Sequence, residues 1–358
     1  MRIAITTDAW FPQINGVVRT LAATVEELVR RGHEVEVFGP DRFLTLPLPF
    51  YRSLRVAVAP GWSLRRMLRD FAPDVVHIPT EGPIGWSARN WCSAHNVPFT
   101  TAFHTRFPDY IAVRTGLKAD LFWPFFRRFH KGSGAVLVST ASLEEELRAR
   151  GFGPVHRWTR GIDQSIFRPE GAIHPDMAAM ARPILLNVGR VACEKNLEAF
   201  LGLDTSGTKV VVGDGPALAG LKARYPAARF LGALSGEALA SAYRGADAFV
   251  FPSLTDTFGL VVIEALACGV PVAAFPVAGP RDILGPAARG EGDDAPAPVG
   301  RLDPDLAVAI KGALAAPRDG AASFAKRFTW GTATDQFETA VAAAVAGHHN
   351  PAWMANSA

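Results

Sequence analysis

The fold is decided in large part by the stretch Thr255-Asp256-Thr257-Phe258-Gly259-Leu260-Val261-Val262-Ile263-Glu264. An apolar helix starts inside it, and two carboxylates, Asp256 and Glu264, lie eight positions apart around that start. A helix start offers unpaired N–H groups and a partial positive charge, so it can hold a phosphate or a sugar oxygen. We expect the two carboxylates to grip the hydroxyls of a sugar nucleotide from two sides, with Gly259 allowing close approach. The alternative is that Asp256 or Thr257 only caps the helix and Glu264 favours its positive end.

Composition indicates a two-domain globular protein. The 358 residues are 49% hydrophobic and 20% charged, and a chain of this length exceeds one typical core. The three cysteines form no spaced pair, which argues against a zinc site or a disulfide scaffold and for a reducing compartment. The N-terminus lacks a signal-peptide core, and no run of about 18 apolar residues occurs. We therefore expect a cytoplasmic protein.

Charge is distributed unevenly along the chain. Residues 1–160 hold 21 Lys/Arg and 14 Asp/Glu, a net +7, whereas the remainder holds 16 and 20, a net −4. A basic first half favours an anionic partner such as nucleic acid, an acidic substrate or an anionic membrane. No nucleic-acid-binding motif accompanies the charge, so we do not expect nucleic acid as the partner.

Short β-rich runs alternate with helical patterns in both halves, which predicts crossover connections and doubly wound, mainly parallel α/β domains. We expect one domain over residues 1–165, a second over 166–335, and a terminal helix with a loose tail over 336–358. The predicted strands are Ile3–Thr6, Glu34–Phe38, Val75–Ile78, Phe99–Phe103 and Ala135–Ser139, then Pro183–Val188, Lys209–Val212, Ala248–Phe251 and Val272–Phe275.

Two loops of the second half follow predicted strands, where open α/β sheets bind ligands. Arg190 and Lys195 can neutralise a diphosphate and stabilise charge on a leaving group, unless they are only solvated surface cations. The run Gly213-Asp214-Gly215 is not a dinucleotide fingerprint, because Leu218 stands where the third glycine belongs. Without further information it is equally a tight turn.

The first half offers its own candidates. Gly16 lies at a helix start and can bring backbone amides to a phosphate, or it is a plain turn residue. His104 follows the strand Phe99–Phe103 and can orient a sugar hydroxyl, or it is a buried, satisfied histidine. Arg106 and Asp109 are candidates for acceptor contact.

Two segments combine aromatic and basic residues, as interfacial segments do on anionic lipid. The alternative is that their aromatic side chains pack in the core while the arginines stay in solvent. The candidate membrane residues are Trp62, Arg65 and Arg66 in the first segment and Trp123, Arg127 and Arg128 in the second.

The Asp256–Glu264 stretch, continued by Ala265-Leu266-Ala267-Cys268-Gly269-Val270-Pro271-Val272, resembles the paired-acid signature of the retaining glycosyltransferases called group 1 or family 4. The usual motif has glutamate at both ends, and this chain has Asp256 at the first. The resemblance implies the GT-B fold, two Rossmann-like domains with an interdomain cleft, and a final helix that crosses back to the first domain.

The same resemblance assigns donor binding to Gly189, Arg190, Lys195, Gly213, Asp214, Gly215, Phe258, Gly259, Leu260, Glu264 and Gly16. It implies that His104 faces the transferred sugar, with Asp256, Arg190 and Lys195 as the other catalytic candidates. We expect no metal and no cofactor, with a nucleotide sugar as co-substrate. A same-face mechanism, in which the departing phosphate helps deprotonate the acceptor, is the working hypothesis.

The segments Thr80–Gly85 and Thr100–Tyr110 most resemble enzymes that glycosylate membrane lipids. We therefore expect a UDP-sugar-dependent transfer of a hexose or hexuronic acid to a lipid such as diacylglycerol, at the inner face of a bacterial membrane. The alternatives are a GDP-mannose-dependent enzyme acting on a polyprenyl-linked or soluble glycan and, remotely, a non-catalytic nucleotide-sugar sensor. The oligomeric state stays open.

Overall fold

A computed structural model describes residues 1–13, 15–48, 51–291 and 297–348. The chain forms two compact units, one of Met1–Gly161 with Trp330–Ala358 and one of Ile162–Thr329. The sequence-based boundaries, after residues 165 and 335, fall a few residues later than the observed ones, after Gly161 and Thr329. The expected loose tail, residues 349–358, lies outside the described residues.

The first unit is a parallel sheet in the order β2-β1-β5-β6-β7-β8, with a separate antiparallel hairpin of β3 and β4. Its strands are β1 (Arg2–Thr6), β2 (Glu34–Phe38), β3 (Thr45–Leu48), β4 (Tyr51–Ala57), β5 (Val75–Ile78), β6 (Phe99–Phe103), β7 (Ala135–Val138) and β8 (Val155–Arg157). Its helices are α1 (Gly16–Arg30), α2 (Gly61–Phe71), α3 (Pro83–His95), α4 (Phe107–Thr115), α5 (Trp123–His130), α6 (Ala141–Ala149) and, from the far end of the chain, α14 (Trp330–His348).

Helices cover both faces of this sheet, and the side chains of each strand alternate between the two cores. Ala4 of β1 packs with Leu64 and Leu68 of α2. Its neighbours Ile3 and Ile5 pack on the other side, in a core shared by α1 and α14. The last helix thus completes the core of the first unit.

The second unit repeats the architecture with a parallel sheet in the order β11-β10-β9-β12-β13-β14. Its strands are β9 (Ile184–Val188), β10 (Thr208–Val212), β11 (Arg229–Gly232), β12 (Ala248–Phe251), β13 (Val272–Ala274) and β14 (Gly300–Leu302). Its helices are α7 (Leu197–Leu201), α8 (Leu218–Arg224), α9 (Gly236–Gly245), α10 (Leu260–Ala267), α11 (Ala278–Leu284), α12 (Leu306–Leu314) and α13 (Arg318–Ala325).

Strand order creates a switch point in each sheet. In the second unit β9 comes first, the chain then adds β10 and β11 on one side, and later β12 to β14 on the other. In the first unit β1 plays the same part, between β2 and β5. Loops that leave two such strands diverge, and ligands of open α/β sheets bind in the crevice between them.

Candidate functional site

The switch point of the second unit is bridged by an ion pair. Lys195, in the loop after β9, places its Nζ 2.6 Å from Oδ1 of Asp256, in the loop after β12. The side chains are 25% and 19% exposed, so both are largely shielded from water. Asn196 Nδ2 also donates to the carbonyl oxygen of Pro252 at 3.1 Å. The ion pair and this hydrogen bond therefore join the loop after β9 to the loop after β12 at the ligand-binding end of the sheet.

Three buried oxygens of the loop after β12 have no hydrogen-bond partner among the residues that the structure describes. They are Oγ of Ser253, Oγ1 of Thr255 and Oδ2 of Asp256. Most buried polar atoms are hydrogen-bonded, so a cluster of exceptions in one loop needs an explanation. A ligand rich in hydroxyl groups would supply the missing partners, which is what the sequence predicted for Asp256.

The capping alternative for Asp256 does not fit this geometry. The N-cap of α10 is Gly259, with φ of 100° and no side-chain capping bond. The carboxylate of Asp256 instead pairs with Lys195. Phe258 is buried, and a Cβ on Gly279 would lie 2.6 Å from the carbonyl oxygen of Phe258. The close approach of Gly279 on α11 therefore limits the conformations that the loop can adopt.

Glu264 lies in the interior of the second unit. It is fully buried on α10, and the hydroxyl of Tyr243 donates to its Oε2 at 3.0 Å. The two acids of the sequence motif therefore differ: Asp256 is partly exposed in the crevice, whereas Glu264 lies behind the start of α10. For Asp256 and Glu264 both to contact the sugar hydroxyls, as expected from the sequence, the ligand would have to extend past Gly259 and Leu260.

The glycine loops shape the crevice through their backbone. Gly213 has φ of 142°, and a Cβ there would lie 1.9 Å from the carbonyl oxygen of Gly189, so only glycine fits. The Gly189 amide donates to Val212 and the Gly213 amide to Gly232, while the Gly215 amide donates to Oδ1 of Asp214. Because these amides already have hydrogen-bond partners in the protein, in this conformation the loop forms part of the crevice wall through its backbone shape and does not offer these amides to a ligand.

Arg190 faces a carboxylate of its own loop. Its guanidinium is paired with Glu194, which is mostly buried. Burial alone would raise the pKa of Glu194, but its own backbone amide and Arg190 outweigh it and hold the pKa below the ordinary value. A diphosphate that binds Arg190 must compete with this carboxylate.

The switch point of the first unit is filled by the protein itself. The carboxylate of Asp8, after β1, accepts from the amides of Ile84 and Gly85 at 2.9 and 3.2 Å and from the Thr80 hydroxyl at 2.9 Å. Burial raises the pKa of Asp8. Because this carboxylate accepts from the first amides of α3, a phosphate at this helix start would have to displace it. Sequence reasoning missed Asp8, although its place directly after a strand was a usable signal.

Gly16 begins α1, as predicted, but the amides of that turn are already capped. Oδ1 of Asn15 accepts from the amides of Val17 and Val18, both at 3.0 Å. A phosphate at Gly16 would have to displace this cap.

His104 follows β6, as predicted. Its ring is oriented by Arg160, a residue that the sequence analysis did not identify. Nη2 of Arg160 donates to Nδ1 of His104 at 3.0 Å. The His104 ring also meets the Trp158 ring edge-on, with the centroids 5.5 Å apart. Burial first, and then the charge of Arg160 and the ring of His77, lower the pKa of His104 well below the ordinary value.

Arg106 and Asp109 form part of an internal ion network. The guanidinium of Arg106 is paired with Asp109 and with Glu146, whose Oε1 lies 3.1 Å from Nη2. The predicted acceptor contact therefore needs one of these pairs to open.

The candidate membrane residues divide into two groups. Trp62 is 78% exposed, and Arg65, Arg66, Arg127 and Arg128 are exposed. The expected membrane position of Trp123 is wrong. Its side chain is buried and stacks on Phe103, with the ring centroids 5.6 Å apart. The exposed apolar side chains of its segment are Leu121 and Phe125.

Two features are absent from residues 1–13, 15–48, 51–291 and 297–348. No helix in those ranges is long and apolar enough to span a bilayer. Nor do three His, Cys, Asp or Glu side chains come together there as metal ligands would.

Comparisons with known proteins agree on fold and family. The structure matches that of sucrose-phosphate synthase from Thermosynechococcus elongatus with a TM-score of 0.74 at 20% identity, over 94% of this chain and 97% of the other. The chain thus has the GT-B fold, as predicted. Residues 14–165 match Glycosyltransferase Family 4, and residues 182–329 match Glycosyl transferases group 1.

Two curated relatives are similar over most of their length. A GDP-mannose-dependent alpha-mannosyltransferase of Mycobacterium tuberculosis is 34% identical over 310 residues, which cover 80% of this chain and 82% of the relative. An alpha-monoglucosyldiacylglycerol synthase of Streptococcus pneumoniae is 25% identical over 324 residues, covering 76% and 71%. This chain belongs to the group 1 / family 4 glycosyltransferases, which confirms the resemblance inferred from its motifs.

Proposed function

We propose that this glycosyltransferase moves mannose from GDP-mannose to a membrane lipid, with retention of anomeric configuration and without a metal ion. The observation that carries the proposal is the Lys195–Asp256 ion pair across the switch point. Beside it lie the side-chain oxygens of Ser253 and Thr255, which have no hydrogen-bond partner within the described part of the chain. This arrangement offers a cation for a diphosphate and oxygen atoms for sugar hydroxyls within one crevice.

The chemistry follows from these charges. The bond between the anomeric carbon and the diphosphate oxygen breaks, and its electron pair leaves with the phosphate. Lys195, supported by Arg190, stabilises the growing negative charge, as preorganised cations do in phosphate-leaving reactions. The acceptor hydroxyl attacks the same face of the sugar, and its proton passes to the departing phosphate oxygen. Asp256 holds a hydroxyl of the sugar.

The donor proposal differs from the UDP-sugar favoured by the motifs alone. Its support is the mannosyltransferase relative at 34% identity, against 25% for the glucosyldiacylglycerol synthase. A UDP-hexose, the donor expected from the sequence, is the second candidate, and the glucosyl-transferring relative covers 76% of this chain.

The lipid acceptor is supported by the surface of the first unit. Trp62 and Phe125 are exposed apolar side chains in segments that also expose arginines, the combination that binds anionic headgroups. We infer that the protein works at the inner face of the cell membrane as a peripheral protein. The name of the glucosyldiacylglycerol relative is consistent with a lipid acceptor.

The test is a transfer assay with purified protein, labelled GDP-mannose or UDP-glucose, and vesicles with or without phosphatidylglycerol and diacylglycerol. Labelled lipid from GDP-mannose is the expected product, and nuclear magnetic resonance of the new linkage should show retention. Nucleotide binding without transfer or donor hydrolysis would support the sensor alternative. If the protein fails to float with anionic vesicles at low salt, the membrane proposal is wrong.

A further inference from the structure

Arg160 is a buried cation in the first unit. It follows β8 and is 5% exposed. Nη1 donates to the carbonyl oxygens of Trp158 at 2.6 Å and Thr159 at 3.1 Å, and Nη2 donates to His104. Its guanidinium carbon also lies 4.8 Å from the centroid of the Trp158 ring. Within the described residues no carboxylate forms an ion pair with it, and burial lowers its pKa to about 9. A charge buried at such cost needs a role.

The contact with His104 fixes which ring nitrogen carries the proton. A guanidinium has five N–H donors and no acceptor. The bond of 3.0 Å from Nη2 therefore requires a lone pair on Nδ1 of His104. In a neutral imidazole with a lone pair on Nδ1, the proton is on Nε2. The ring orientation is fixed as well, because Trp158 contacts both His104 and Arg160.

We propose that Arg160 is a positioning residue that holds His104 neutral with its proton on Nε2, so that His104 can only donate a hydrogen bond toward the transferred sugar. The sugar contact rests on the proposed function, whereas the tautomer does not. A ring held in this state cannot accept the acceptor's proton through Nδ1. It also adds no second positive charge beside the cation that develops at the anomeric carbon.

The surroundings of His104 support a neutral ring. Arg160 and the imidazole of His77 both lower the pKa of His104, in addition to burial. His77 is bonded to the Thr100 hydroxyl at 2.9 Å, and the same burial and the charge of Arg160 lower its pKa to about 3. His77 is therefore neutral at physiological pH and supplies no competing charge.

The first experiment reads the tautomer directly, without any substrate. Nitrogen chemical shifts of the histidine rings are recorded for the whole protein at neutral pH, and His104 is assigned by its loss in His104→Gln. The expected result is the Nε2–H form in the wild type, and an altered tautomer ratio or a protonated ring in Arg160→Met. An Nδ1–H or charged His104 in the wild type would overturn the proposal.

The second experiment follows activity against pH. In Arg160→Met we expect kcat to fall about 10- to 100-fold, as with other residues that orient a functional group, with the donor KM nearly unchanged. The loss should deepen below about pH 6, because His104 regains a pKa nearer to the ordinary one. Arg160→Lys should recover part of kcat and should not show the additional loss of kcat below about pH 6.

The matched control is Arg157→Met, which removes an arginine three positions earlier that is more exposed than Arg160 and forms a partly exposed ion pair with Glu144. It should leave the tautomer and the pH profile unchanged. An Arg160→Met variant that keeps the tautomer and loses kcat equally at every pH would reduce Arg160 to a folding role and refute the proposal. If the tautomer shifts as expected but no donor supports transfer, the proposed function fails and the Arg160–His104 link stands.

Discussion

Replacing Lys195 with methionine keeps most of the side-chain volume and removes the ammonium that joins the β9 and β12 loops. In the crevice this group lies 2.6 Å from Asp256 and is 25% exposed, so its field is screened less than that of a surface lysine. Two unit charges about 4 Å apart interact by about 4 kcal/mol at an effective dielectric constant of about 20. Loss of one preorganised donor to a developing anion lowers kcat by about 10²- to 10³-fold. The two figures agree, and we expect a kcat loss of that size in Lys195→Met.

The assay is single-turnover transfer from labelled donor, with nucleotide affinity measured separately by calorimetry. Lys222→Met is the matched control, because Lys222 is exposed on α8 and contacts only the Phe230 ring among the interactions described for it. Lys195→Met with less than a threefold loss of kcat would refute the reasoning, and Lys195 would then be a structural clamp on Asp256. A loss confined to nucleotide affinity would also exclude a role in leaving-group stabilisation.

Three further predictions concern one carboxylate and two histidines. Glu264→Gln should keep the bond from Tyr243 yet weaken donor binding about tenfold, about 1.4 kcal/mol; unchanged affinity by calorimetry would contradict a donor role. His104→Ala should lower kcat more than nucleotide affinity, and equal effects on both would contradict its placement at the sugar. His77 has a folded pKa of about 3 against an ordinary 6.5, so the folded state binds fewer protons between these values. Its contribution to stability is complete above about pH 6.5 and falls by about 3 kcal/mol by about pH 4.5. His77→Gln should flatten this acid limb in urea titrations, and an unaltered slope would contradict the assignment.

Much of the fold could be predicted because most of its strands are short runs rich in β-branched, aromatic and other apolar residues, separated by helical patterns. β1, β2, β5, β6 and β7, and in the second unit β9, β10, β12 and β13, all lie where the sequence indicated. The strands that sequence reasoning missed are at or near the sheet edges. β8 and β14 have three residues each, too few for a period of two to stand out.

The site was only partly predictable because its decisive contacts join distant parts of the chain. Lys195 and Asp256 were both named from their motifs, but only the structure shows them as a pair. Arg160 bonds to a histidine 56 positions away, and no local pattern signals that contact. Trp123 was misjudged because an aromatic residue beside arginines has the same sequence pattern at a membrane surface and in a core.

The core of the first unit depends on a helix that follows the second unit in the sequence. Phe337 and Val341 of α14 fill the core around Ile3 and Leu21, and the Phe337 ring contacts His77, with the centroids 4.9 Å apart. A growing chain therefore completes all of the second unit before the first can close its hydrophobic core. The second unit can therefore complete its core before the first, although domains generally fold N-terminal first on the ribosome. A nonsense mutation near residue 330 would damage the domain encoded first and leave the domain encoded second intact.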